Sequence, residues 1–150
     1  MRKTHYHDYA TEAFRLHARL GSAAAYRQRI VSEALARRAE GGGSAGPGSP
    51  TEAAVVRAEA ALSEVEGTIR DLEAVERAME RIERLRGGTC ILRAVREVYE
   101  AEADRELARG EIARRVDRLS VELPAGSATI YRWLGLARKI FAEERGLRTS

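Results

Sequence analysis

The stretch TEAAVVRAEAALSEVEGTIRDLEAVERAMERIERLR, residues 51–86, decides the fold class of this chain. It contains no proline and one glycine, Gly67, and it is rich in alanine, glutamate, arginine and leucine, which are strong helix formers. We expect one long, coiled-coil-like helix of about 54 Å, because apolar residues recur every three or four positions. This heptad seam consists of Val55, Ala58, Leu62, Val65, Ile69, Leu72, Val75, Met79 and Ile82.

An isolated rod would leave its apolar seam exposed to water, so in a chain of 150 residues we expect another helix to cover the seam. Either two chains pair along residues 51–86 as a homo-oligomer, or the N-terminal helices fold back on the seam. The segment GGGSAGPGSP, residues 41–50, predicts a flexible linker that permits the second arrangement. We expect a bundle that uses both kinds of contact.

Residues 1–40 predict a pair of helices. Apolar residues from Tyr6 to Leu20 share one helical face, and a second face runs from Tyr26 to Leu35. Ser22, after Gly21, is the expected N-cap of the second helix. The rest of the chain lacks alternating runs of β-branched and aromatic residues, so the whole protein is expected to be all-α.

Composition argues against an enzyme. Aromatic residues make up 5% of the chain, and no glycine-rich phosphate loop or Ser/His or Cys/His constellation stands at a recognisable spacing. His5 and His7, two positions apart on a helix, point to different faces, so no metal site and no cofactor are expected. The expected protein is not an enzyme.

The expected cellular location is based on the lack of a recognisable signal peptide or membrane-spanning segment and on the number of cysteines. The N-terminal residues lack the apolar core of a signal peptide, and no run of about 18 apolar residues is present. Cys90 is the single cysteine, which suits a small buried thiol in a reducing compartment. We therefore expect a soluble, cytoplasmic protein.

Residues 87–150 predict a DNA-binding unit. Thr89 is the expected N-cap of a helix that carries Ile91 to Tyr99, and the segment RGEIARRVDRL predicts a short second helix. The loop SVELPAG interrupts that helix, and a third begins at Ser127 and continues to about residue 145, before Gly146. Two helices joined by a turn predict a helix-turn-helix, in which Ala113 allows the helices to cross and Ile130 and Trp133 point inward.

The third helix has the features required of a helix in the DNA major groove, namely small or polar residues in its first turn and basic residues after it. Residues 107–142 contain seven arginines and lysines against three acidic residues, so the basic excess concentrates here. For Arg114, Arg115 and Arg118, a solvated helix face is the plainer alternative to phosphate contact. Tyr131 is as well suited to packing as to DNA contact. The expected DNA-contacting residues are Arg114, Arg115, Arg118, Ser127, Ala128, Thr129, Tyr131, Arg132, Arg138 and Lys139.

The segments GEIARRV and SATIYRWLGLARK resemble the helix-turn-helix of sigma-factor region 4. Over more of the chain, the sequence is similar to phage and prophage transcriptional regulators of the ArpU/RinA type. The resemblance implies double-stranded DNA as a partner and contact with RNA polymerase. Ala113 and Ile130 are seventeen positions apart, about seven more than in the compact motif, so residues 117–126 add either a helical turn or a wing-like loop.

A second function class uses the same features differently. In a phage assembly or packaging protein, similar to a small terminase subunit, the helix-turn-helix binds DNA while the rod builds a ring. Stoichiometry separates the two, because a ring holds many copies. The sequence favours the sequence-specific transcriptional regulator.

Overall fold

The computed structural model describes residues 6–37 and 50–149, and this part of the chain is all helical, without a strand. The expected all-α fold is confirmed. Apart from Pro50, the predicted linker at 41–50 lies outside the described residues, as does His5. The α-helices of the described part are α1 (His7–Leu20), α2 (Ala23–Ala36), α3 (Pro50–Glu64), α4 (Glu66–Glu83), α5 (Gly88–Val95), α6 (Glu111–Glu122) and α7 (Ser127–Arg145).

The N-terminal helical pair is present as predicted, and Ser22 caps its second member. Gly21 has a φ of 84°, which lets the chain turn between α1 and α2. Ser22 is extended, and its Oγ accepts a hydrogen bond of 3.1 Å from the amide of Ala25. The carboxylate of Glu76 in α4 accepts a second bond, of 2.6 Å, from the amide of Ala23. The start of α2 is therefore fixed to α4.

The prediction of one continuous helix over residues 51–86 is wrong, because Val65 interrupts it. Its φ of −110° and ψ of 17° lie outside the helical region. The amide of Val65 bonds to the carbonyl of Leu62, three residues back, at 3.2 Å. Valine is β-branched and Gly67, which follows closely, has low helix propensity, so this is the weakest point of the stretch.

The two halves of the heptad seam have different surroundings. In α4, Ile69, Leu72, Val75 and Ile82 are buried within the chain, where α4 packs against α1, α2, α5 and α7. In α3, Val55 is 49% exposed, and this helix packs chiefly against α2. The alternative in which the N-terminal helices fold back is thus confirmed, whereas self-association stays a prediction.

One main core joins α1 to the C-terminal helices. Its centre is a group of aromatic rings: Phe14 of α1 lies 6.1 Å from Tyr99 and 5.9 Å from Phe141 of α7, measured between ring centroids. Around them pack buried aliphatic residues of α4, α5, α6 and α7. Residues 87–149 therefore share their core with α1 and α4.

The connection from α5 to α6 is fixed by a buried arginine. A π-helical turn, Arg96–Glu100, follows α5 and leaves carbonyl groups that the helix itself does not satisfy. Arg15 of α1 is 3% exposed, and its guanidinium donates to the carbonyls of Tyr99 at 2.6 Å, Glu102 at 3.2 Å, and Arg105. Burial lowers the pKa of Arg15, and the nearby Arg115 guanidinium lowers it further.

The predicted start of α5 is wrong. Thr89 does not cap the helix, because α5 already begins at Gly88. Gly87, with a φ of 73°, occupies the cap position. The left-handed backbone at Gly87 reverses the chain after α4. The N-cap position is therefore two residues earlier than the threonine hydroxyl suggested.

Candidate nucleic-acid interface

Helices α6 and α7 are joined by a turn of four residues, 123–126. Leu123 is extended, with a φ of −103° and a ψ of 147°, as expected for a residue before proline. Gly126 is also extended and occupies the N-cap position of α7. The additional residues in 117–126 therefore lengthen α6 to Glu122, which is the first of the two predicted alternatives, and no wing-like loop separates the helices.

The contact between the two helices is apolar. On α6, Val116 and Leu119 are buried, and on α7, Ile130 and Leu134 are buried. Ile130 thus points inward as predicted, and Trp133 is half-buried against the same core. The prediction for Ala113 is wrong: it is exposed, because the inward face of α6 runs through residues 112, 116 and 119, on the other side of the helix.

The outward face of α7 is a continuous stripe. Its members are exposed, and each lies three or four residues from another member, so together they cover one broad side of the helix. Tyr131 is 44% exposed and Leu136 is 39% exposed. We call this set the α7 stripe: Ala128, Tyr131, Arg132, Leu136 and Lys139. Four of its members were predicted, and Leu136 was missed, although it stands four residues after Arg132.

Helix α7 begins at Ser127, as predicted, so Ser127 is its first helical residue and not its N-cap. The N-cap residue, Gly126, has no side chain that could accept a hydrogen bond. The Ser127 hydroxyl instead donates to Oδ1 of Asp117 at 3.2 Å, which links α7 to α6. Thr129, the other hydroxyl in this turn, is half-buried.

Arg115 does not face outward, so the predicted phosphate contact is wrong. It is 8% exposed, and its Nη1 donates to the carbonyls of Val98 at 3.0 Å and Ala101 at 2.9 Å. Its Nη2 donates to the carboxylate of Glu111. A signal for this was present in the sequence, because position 115 lies three residues after Ile112 and four before Leu119, at the edge of the apolar face of α6.

The carboxylate of Glu111 accepts hydrogen bonds from several donors. Arg105 donates to both of its oxygens at 2.9 Å, and the amide of Ala108 donates to one of them at 3.0 Å. These bonds, led by those from Arg105, lower the pKa of Glu111 to about 2. The carboxylate therefore stays charged at neutral pH and holds the first turn of α6 against the preceding loop.

Arg138 lies beneath the α7 stripe rather than on it. It is half-buried, and its Nη1 donates to the phenol oxygen of Tyr99. Burial raises the pKa of Tyr99, and the positive charge of Arg138 opposes that rise. The guanidinium thus fixes α7 to the π-helical turn. Arg138 is therefore less accessible to DNA than the exposed Lys139 next to it.

In the described residues, the exposed basic residues of α6 and α7 form no ion pair, whereas some arginines elsewhere do. Arg93 and Arg105, for example, form ion pairs with glutamates. In the described part of the chain, no ion pair is recorded for Arg114, Arg118, Arg132 or Lys139, all of which are exposed. Arg114 makes one long hydrogen bond, of 3.3 Å, to the carbonyl of Arg109. The outward surfaces of α6 and α7 therefore offer unneutralised positive charge.

The described residues lack a metal-binding cluster and a membrane-spanning helix. They contain no group of three histidine, cysteine or acidic side chains placed to hold a metal ion. None of the helices in residues 6–37 and 50–149 is long and apolar enough to cross a membrane.

Comparison with known proteins adds no relative. No family model, curated protein or solved structure matches this chain. The relation to sigma-factor region 4 and to prophage regulators therefore stays a prediction.

Proposed function

We propose that this protein is a sequence-specific DNA-binding transcriptional regulator that places the first turns of α7 in the major groove. The observation that carries the proposal is the α7 stripe, which begins next to the four-residue turn and presents Arg132 and Lys139 without acidic partners. A helix of this kind, preceded by a second helix that crosses the backbone, is the geometry of helix-turn-helix recognition.

Each basic residue has its own role in this proposal. Arg132 stands in the second turn of α7, where a guanidinium can form a bidentate pair with O6 and N7 of guanine. Arg114 and Arg118 on α6, and Lys139 further along α7, neutralise phosphates and fix the register. The likeness to prophage regulators and the contact with RNA polymerase belong to this proposal as expectations.

The assembly alternative has less support from the packing. It requires a rod whose seam is available to other chains, and in α4 that seam is covered by other helices of the same chain, since α4 packs against α1, α2, α5 and α7. No observation on the described residues favours a ring, so the regulator is the function that we propose.

The first test is selection of bound duplexes from a random pool, followed by salt titrations on the enriched site and on random DNA. We expect Arg132→Ala to cost ~1 to 3 kcal/mol on the enriched site and to relax the preference at one base pair. We expect Arg118→Ala to weaken binding to both DNAs alike and to lower the slope of log affinity against log salt by about one.

Arg70→Ala is the matched control, since Arg70 is exposed on α4, away from the α7 stripe. It should leave both affinities nearly unchanged. Failure to enrich any site, or a loss from Arg132→Ala that is equal on all sequences, would refute sequence-specific reading by α7.

A further inference from the structure

Helices α2 and α3 form an arm outside the main core. Among the described residues, the main core contains none from α2 or α3. The buried residues of α2 are Ala23 and Ala34, and Ala54 is the buried hydrophobic residue of α3. Among the described residues of this arm only alanines are buried, and Ile30, Val31 and Leu62 are half-buried, so the arm gains less stability from its own packing than the main core does.

Large aliphatic side chains of the arm remain in solvent. Leu35 of α2 is 43% exposed, and Val55 and Val56 of α3 are 49% and 63% exposed. Val55 and Val56 are adjacent on α3, and exposed aliphatic side chains that stand together are typical of a surface that another protein covers.

The two helices of the arm carry opposite charge. Residues 23–37 contain Arg27, Arg29 and Arg37 against Glu33, a net charge of +2. Residues 50–64 contain three glutamates against Arg57, a net charge of −2. A foreign partner of one sign would match one helix and be repelled by the other, whereas a second copy of the same arm carries both signs.

We propose that two copies of this chain associate through their α2–α3 arms about a two-fold axis. In this arrangement α2 of one chain lies on α3 of its partner, and the same contact is repeated on the other side of the axis. The exposed aliphatic residues are then covered inside a four-helix bundle, and each basic helix faces an acidic one. The proposal rests on the arm and is independent of DNA binding by α7.

The first experiment measures molar mass by light scattering, at low salt and without DNA. The intact protein should have twice the mass of its 16.6 kDa chain. Val56→Glu should raise the dissociation constant of the dimer about tenfold or more and give the mass of one chain under the same conditions. The control is Val121→Glu on α6, whose side chain is 86% exposed and outside the arm, and it should keep the dimer.

The second experiment exchanges charges between the two helices. Arg29→Glu with Arg37→Glu makes residues 23–37 acidic, and Glu59→Arg with Glu64→Arg makes residues 50–64 basic. Each double variant by itself should be monomeric, because like charges then meet twice across the axis. An equimolar mixture should form a mixed dimer in which both contacts are attractive again.

Circular dichroism on every variant establishes that the helices are intact, and Val56→Glu gives a result even if a charge exchange fails to fold. The proposal is overturned by an intact protein that is monomeric or larger than two chains, by a Val56→Glu protein that keeps the dimer mass, or by folded charge-exchange variants that do not combine. None of these results bears on α7, so failure of the arm contact and failure of DNA recognition are separate outcomes.

Discussion

Arg114 and Arg115 are neighbours in the chain, yet they belong to different parts of the molecule. The α-helix rotates each successive side chain by about 100°, which places the guanidinium of Arg115 among buried carbonyls and that of Arg114 in solvent. The same residue type is therefore structural at one position and a candidate phosphate ligand at the next.

This difference predicts opposite effects of two alanine substitutions. Arg115→Ala removes the donor for the buried carbonyl of Val98, and an unsatisfied buried group costs roughly 1 to 3 kcal/mol of unfolding free energy. The carbonyl of the exposed Ala101 can bond to water instead. Arg114→Ala should change stability by less than about 0.5 kcal/mol. Urea unfolding measures both, and equal losses would contradict the assignment of Arg115 to the interior.

Glu111 predicts a pH dependence. Its pKa in the folded protein is about 2, below the ordinary value of 4.5, so its contribution to stability is full above pH 4.5 and is lost as the pH falls toward 2. Glu111→Gln should therefore destabilise the protein at pH 7, and the difference from the intact protein should shrink between pH 4.5 and pH 2. A difference that is constant with pH would show that the charge of Glu111 is irrelevant.

The residues that sequence reasoning placed well are those whose role is local. The cap at Ser22 depends on two adjacent residues and an amide three positions on, all of which are visible in the sequence. The start of α7 at Ser127 was also predicted correctly, because Pro124 and Gly126 in the preceding loop interrupt the helix. The contact of Arg138 with Tyr99 was missed, because the two residues are 39 positions apart and no local pattern encodes it.

At the scale of elements, two glycines of the helical region have opposite surroundings. A β-carbon at Gly67 in α4 would meet no atom within 4 Å, whereas one at Gly88 would overlap the carbonyl oxygen of Ile82. Gly67 is a helical residue without strain, and Gly88 allows α5 to start directly against the end of α4. The helical periodicity of the sequence predicted both helices, but it contained no information on this close approach.

Alanine at these positions should therefore separate the two roles. Gly67→Ala should raise the free energy of unfolding by roughly 0.4 to 1 kcal/mol, since alanine restricts the unfolded chain and favours the helix. Gly88→Ala should lower it, because the clash is with backbone that cannot move without shifting α4 or α5. Thermal unfolding of both variants checks this, and a stabilising Gly88→Ala would contradict the described junction.

At the scale of the whole molecule, the heptad seam predicted the apolar positions of α4 and allowed for the N-terminal helices as partners, but it did not predict the contacts with α5 and α7. Periodicity states which side of a helix is apolar and does not state which surface covers it. Leu72 is fully buried by elements of its own chain. The break at Val65 then separates this internal half from α3, whose valines stay exposed.

Leu72→Ala should accordingly act on folding rather than on association. We expect a loss of ~2 to 5 kcal/mol in the free energy of unfolding, which is typical of a buried leucine, with no change in mass at native conditions. Val121→Ala, at an exposed position, should cost less than about 0.5 kcal/mol. Dissociation of an oligomer without loss of stability would show instead that the α4 seam lies between chains.

The contact of Phe14 with Phe141 has a consequence for synthesis on the ribosome. The two rings are separated by nearly the whole described chain, and at 5 to 20 residues per second this interval takes on the order of 10 s. Throughout that time the nascent α1 emerges without the helix that covers its aromatic face. We therefore expect chains arrested before α7 to be bound by chaperones and sensitive to protease, and release of the completed chain to abolish both properties.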